Sequence, residues 1–141
     1  MVLAAAAWLP CAASWASGEA VAPGSYEITA RTLMPHLEEN LRYATTRERR
    51  CLRNDELASV FPILRHHSLE GCKLGAETRL GGTIRYVLAC ASPQVATGAA
   101  RLDAASGRIS GSLEIKMGGK NMTFSQRIDA VRHGDCAPPH E

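Results

Sequence analysis

Five histidines and five cysteines are the side chains of this 141-residue chain best equipped for chemistry. His66 and His67 are adjacent, so on a strand they would point to opposite faces and could not share one metal ion. His133 has Asp135 two residues on, a spacing that suits metal ligation or a proton relay, although both stand near the end of the chain. His36 falls in a polar loop and His140 in the C-terminal tail. A hydrolase or metal-dependent enzyme using His66 or His67 is the catalytic reading these residues support. The carboxylates add little to it. Glu38 and Glu39 are consecutive and point apart, and Asp103 and Asp129 stand alone on strands, so spacing yields no acid–base pair. No G-x-S-x-G elbow exposes a serine nucleophile. Met117-Gly118-Gly119-Lys120 resembles a phosphate loop, yet it lies between two apolar alternating runs and not ahead of a helix, which is the setting of a hairpin turn. The balance points to a protein without catalytic, metal or cofactor residues.

The cysteines carry a different chemistry. Cys11 lies in an apolar N-terminal stretch, which leaves Cys51, Cys72, Cys90 and Cys136, an even set that suits two disulfides in an exported domain. Four cysteines allow three connectivities. Hairpin geometry favours one of them. Gly71 to Ala91 reads as two strands around Gly81-Gly82, with Cys72 and Cys90 on the two arms. A two-residue loop pairs Leu80 with Thr83 and sets Cys72 opposite Ala91, one residue out of direct opposition to Cys90. A bulge near either cysteine or a three-residue loop would absorb the offset. Cys51 is then left for Cys136. The alternatives are four free thiols or a zinc site, and the latter lacks any C-x2-C spacing.

The elements that must hold this frame come from a modest core. Hydrophobic residues make up 45% of the chain, but much of that is alanine, and both tryptophans fall in the first fifteen residues, so crosslinks would reinforce what remains. Net charge is +2, which argues against nucleic acid as a partner. Arg42, Arg47, Arg49, Arg50 and Arg53 form a local basic run, expected as a solvated strand face rather than a polyanion site. Residues 1–16 carry no charge and end in Ser14-Trp15-Ala16, the small-x-small pattern ahead of a signal-peptidase cut. The basic n-region is missing. The run is too short to span a bilayer and is interrupted by Pro10. A cleaved leader of 1–16, extending to 20 at most, is expected. Trp8-Leu9-Pro10 is a poor lipobox, which argues against a lipoprotein anchored through Cys11. The expected domain is 21–137, followed by a tail at 138–141.

Along that domain the apolar period is two. Tyr26, Ile28 and Ala30 alternate with Glu27, Thr29 and Arg31 in a strand that Pro35 ends. A second strand covers Tyr43 to Leu52. A short helix follows near 54–61, with Asn54 as N-cap, Asp55 and Glu56 in its first turn, Leu57, Val60 and Phe61 on its apolar side, and Pro62 as its stop. Ile63 to Ser68 is a connection. A meander then runs through about Leu69–Leu80, Thr83–Ala91, Val95–Asp103, Arg108–Met117 and Asn121–His133. Ile109, Leu113, Ile115 and Met117 face inward in the fourth of these. Met122, Phe124, Ile128 and Ala130 answer them in the fifth, with Gln126 as a polar intruder. Six to seven antiparallel strands with one short helix imply a mainly β fold: a curled sheet, a sandwich or a small open barrel.

Several of these features occur together in a known family. Pro23-Gly24-Ser25-Tyr26-Glu27-Ile28, Met34-Pro35, Arg50-Cys51-Leu52 before Asn54-Asp55-Glu56, the pair Cys72 and Cys90, and Gly134-Asp135-Cys136 together resemble the DUF3617 family, small exported proteins of Gram-negative bacteria of unknown function. The resemblance covers about residues 22 to 136. Members often carry Trp at the position of Tyr26 and Cys-Leu-Thr where this chain has Cys51-Leu52-Arg53. Membership implies an exported, disulfide-bonded β domain and brings no catalytic residues with it.

The expectation is therefore a periplasmic or secreted, non-enzymatic binding or interaction module without a transmembrane segment. Its partner would be a small apolar ligand or an envelope protein. Leu33, Met34, Leu113, Met117, Met122 and Phe124 are the residues for an apolar ligand face, unless they simply build the core. An inhibitor of an envelope-targeting enzyme is a further alternative, resting on fold analogy.

Overall fold

The computed structural model describes residues 21–34, 43–118 and 122–138. The proposed leader with Cys11, the polar loop of His36, Glu38 and Glu39, the hairpin residues Gly119 and Lys120, and His140 lie outside the described residues. Seven strands follow in chain order: β1 (Gly24–Leu33), β2 (Tyr43–Leu52), β3 (Lys73–Leu80), β4 (Thr83–Ala89), β5 (Ala96–Ala105), β6 (Arg108–Met117) and β7 (Met122–Gly134). They form one antiparallel sheet in the order β2-β1-β7-β6-β5-β4-β3. The sheet is not closed; β2 and β3 are its two edges.

Local chemistry explains most of the pairing. Leu80 pairs with Thr83 across Gly81-Gly82, and Gly81 takes the positive φ of 60° that such a tight loop requires. Ala105 pairs with Arg108 across an equally short loop. The meander β3 to β7 is thus held by neighbours in sequence. β1 is different: it pairs with β2 on one side and with β7, the last strand, on the other.

Alternation gives the sheet a core face. Tyr26, Ile28 and Ala30 of β1, Ile84, Tyr86 and Leu88 of β4, Ala100 and Leu102 of β5, Ile109, Leu113 and Ile115 of β6, and Ile128 and Ala130 of β7 are all buried. Because β2 and β3 are opposite edges, the chain joining them must cross this face. It does so as three 3-10 helices, Asn54–Ser59, Pro62–Arg65 and His67–Leu69, which bring Leu57, Val60, Phe61 and Leu69 into the core.

The short helix expected near 54–61 is therefore a 3-10 turn that ends at Ser59, and Pro62 opens the next turn instead of closing the first. Arg53, not Asn54, is the N-cap: its N–H donates to Glu56 Oε2 at 3.1 Å. Asn54 does something else. Its Oδ1 accepts from Val21 N at 3.1 Å and its Nδ2 donates to Val21 O at 3.3 Å, tying the segment before β1 to the crossover. β3 begins at Lys73 and not at Leu69, because His67–Leu69 is still helical and Gly71 turns the chain at φ 79°.

The crossover fits the sheet through a gap in β6. Inward residues there run Ile109, Gly111, Leu113 and Ile115. A Cβ on Gly111 would lie 3.2 Å from Phe61 Cζ and would also press on Leu102. The missing side chain is the seat of Phe61.

Candidate functional site

The cysteines are joined as Cys72–Cys90 and Cys51–Cys136. In the hairpin, Thr78 pairs with Arg85, but Gly75 pairs with Val87, so Ala76 and Glu77 together oppose Tyr86. That is a β-bulge, and Ala76 adopts φ 51° within it. The bulge shifts the register by one residue. One step beyond Lys73 and Ala89, Cys72 then stands against Cys90 with Cα atoms 4.0 Å apart. The offset is absorbed four to five residues from Cys72, in mid-strand. The other bond links β2 to the chain just after β7 (Cα–Cα 5.4 Å) and straddles the start of β1, where Ser25 pairs with both Cys51 and Gly134.

The bulge also builds a polar cluster. Glu77 Oε1 accepts from Arg79 Nη2 and from Tyr86 Oη, each at 2.9 Å. The bond from Arg79 is the main cause that holds the Glu77 carboxyl below the usual carboxylate range. Burial, with the bond to Glu77, pushes the Tyr86 phenol well above its ordinary value. Asp103 is held low by Arg101 and by the Thr83 hydroxyl. Each of the two carboxylates is thus engaged by one arginine and one hydroxyl.

The histidines are placed differently from a strand reading. His66 and His67 lie where two 3-10 turns meet, so their rings do not diverge; the centroids are 4.2 Å apart with planes tilted by 32°. Both are exposed, and His66 Nδ1 accepts from Ser68 N at 3.2 Å. His133 does not meet Asp135. Its Nε2 lies 3.9 Å from Glu27 Oε2, while Arg132 Nη2 holds the Asp135 carboxylate at 2.6 Å. Among the described residues, no three His, Cys, Asp or Glu side chains are grouped to hold a metal ion.

The six residues considered for an apolar ligand face do not share one surface. Leu113 is fully buried, and Met117 and Phe124 are partly buried against the core. Met122 pairs with Met117 and Phe124 with Ile115, on the core face. Leu33 pairs with Ser125, one residue out of phase with Phe124, so register turns it to the opposite face. Met34 follows β1 directly and is half-buried.

That opposite face, which no part of the described chain covers, carries two shallow depressions. One of about 530 Å³ is lined by Thr97, Ala99, Glu114, Lys116, Thr123 and Ser125 among others. Another, of about 490 Å³, includes Thr78, Arg85, Val87, Arg101 and Ser112 and shares Ala99 and Glu114 with the first. Alternation also divides the basic run of β2. Arg50 lies on the core side, where its Nη1 donates to Ser59 O at 2.9 Å, whereas Arg47 and Arg49 are on the open face. Sequence reasoning missed this surface because its residues come from six strands.

Among the described residues, no helix is long and apolar enough to cross a membrane. A family model described as protein of unknown function (DUF3617) matches residues 21–136. No curated protein and no solved structure matches the chain.

Proposed function

The chain belongs to the DUF3617 family, and on that premise we propose that it is an exported, non-enzymatic binding module that acts in the periplasm and engages its partner through the open face of the sheet. The observation that carries this reading is the division of labour between the two faces. The crossover covers the core face with Leu57, Val60 and Phe61, all fully buried. The open face keeps two adjoining depressions and no covering element. Small side chains such as Ala99, Ser112 and Thr97 make the floor, and two disulfides fix its outline. Export is supported by the uncharged leader-like residues 1–16 together with four cysteines paired as disulfides, the state an oxidising compartment maintains.

Native mass spectrometry on protein recovered from the periplasm tests all parts of the reading. The expected spectrum shows a chain shortened near residue 16 to 20, no free thiol among Cys51, Cys72, Cys90 and Cys136, and an added mass or a crosslinked envelope partner. A full-length chain retained in the cytoplasm, or a mature chain with neither ligand nor partner, overturns it.

A further inference from the structure

One line of cross-strand neighbours on the open face is unlike every other. Reading across all seven strands, the register gives Thr45, Arg31, Arg127, Ser112, Arg101, Arg85 and Thr78, each the direct partner of the next. All seven are exposed, and every one carries a hydrogen-bond donor. Four are arginines. With strands about 4.8 Å apart, the guanidinium file from Arg31 to Arg85 extends roughly 19 Å in a straight line across the sheet.

The file is costly to the fold. Arg31 and Arg127 are directly opposed like charges, an arrangement that destabilises a sheet. Among the described residues neither forms an ion pair, and neither does Arg85. Arg101 is matched by Asp103 at 3.1 Å, and Arg85 acts on the same carboxylate from beyond ion-pair distance. The rows on either side place carboxylates beside the central strands of the file, Asp129 and Asp103 on one side and Glu114 on the other, with Arg47 the basic residue of the first row at the β2 edge. Over β7, β6 and β5 an anion on this face is thereby held to the file. The depression of about 490 Å³ lies along it, lined by Thr78, Arg85, Arg101 and Ser112.

We propose that this file of arginines and hydroxyls binds a linear phosphate polymer laid across the strands. The proposal rests on the binding-module reading and names the partner class of that same face. Arginine matches phosphate through a planar fork of donors, and hydroxyls between the arginines bond the oxygens that the forks leave over. A compact anion spans only one or two of the sites. By register, the five strands that span the arginines, β1, β7, β6, β5 and β4, place no Trp, Tyr or Phe on the open face, so nucleobases and sugar rings find no platform to stack on along the arginines. A polymer that presents its charge along its own backbone, without rings, fits the file best.

The test uses the oxidised mature chain and long-chain inorganic polyphosphate, followed by calorimetry at several salt concentrations. Expected are saturable binding that weakens steeply with salt, a loss of at least tenfold in Arg31→Gln/Arg127→Gln, and less than twofold in Lys73→Gln, which lies off the file. Orthophosphate competing as well as the polymer overturns the proposal, as does equal loss in the control variant. Binding to vesicles of anionic phospholipid or to single-stranded DNA, with polyphosphate ignored, also overturns it. If polyphosphate fails while native mass spectrometry still finds another ligand or partner, this proposal falls and the binding-module reading stands.

Discussion

Ile63 donates its backbone N–H to Gln126 Oε1 at 3.1 Å, and Gln126 Nε2 in turn donates to Thr32 Oγ1 at 2.7 Å. One side chain thus stitches the crossover to β7 and β7 to β1. Gln126 is only 3% exposed, the sole buried polar or charged residue among those described. Gln126→Leu leaves the Ile63 N–H and the Thr32 hydroxyl without their partner, and is expected to cost about 2 kcal/mol. Urea denaturation measures it; a loss under about 0.5 kcal/mol would show that water replaces the amide.

The two disulfides should differ in worth. Cys72–Cys90 closes a separation of 18 residues and Cys51–Cys136 one of 85. In the chain-entropy model the first contributes about 3 kcal/mol and the second about 4.5 kcal/mol. Cys72→Ser/Cys90→Ser should therefore lower the denaturation midpoint less than Cys51→Ser/Cys136→Ser. The reverse order would mean that the hairpin, not the closure of the chain, is where the unfolded state is most restrained.

Alkaline stability should depend on Tyr86. Unfolded, its phenol ionises near pH 10; folded, burial and the bond to Glu77 hold the proton to higher pH. Above about pH 10 the folded state binds more protons than the unfolded one, so stability falls as pH rises. Below that pH the contribution is fully present. Tyr86→Phe should flatten the fall, read as denaturation midpoints between pH 8 and 11, and an unchanged slope would remove Tyr86 from the explanation.

Ala76 pays the usual penalty of a Cβ at φ 51°, a conformation that glycine adopts freely. Ala76→Gly is expected to stabilise the protein by about 0.5 to 1 kcal/mol and to keep the bulge. Ala76→Val should destabilise it by at least as much. Thermal melts of the two variants, moving in opposite directions, check both.

Much of the sheet is legible in the sequence because its signals are local. Ile109, Leu113, Ile115 and Met117 alternate with polar residues, and Gly81-Gly82 marks its turn unaided. What joins distant parts is not legible in that way. Pro62 reads as a stop, although here it starts a second 3-10 turn on the way across the core face. Gln126 reads as an intruder until Ile63 is seen above it. Gly111 leaves a gap whose occupant, Phe61, lies fifty residues earlier. The arginine file is the extreme case. Each arginine is an ordinary outward residue of its own strand, and only the order β2-β1-β7-β6-β5-β4-β3 with its register puts four of them in line.

The Cys51–Cys136 bond also bears on how the chain reaches this sheet. Pairing β1 with β7 brings together segments that stand at opposite ends of the domain, the sort of contact that slows folding. With the bond in place, the covalent path from Ser25 to Gly134 no longer runs through the whole meander. It passes along the β1–β2 hairpin to Cys51, over the sulfur bridge and back from Cys136. The slowest search becomes a local one. A chain oxidised early would close its sheet like a hairpin, whereas a reduced chain would leave β7 as an open edge while it waits for β1.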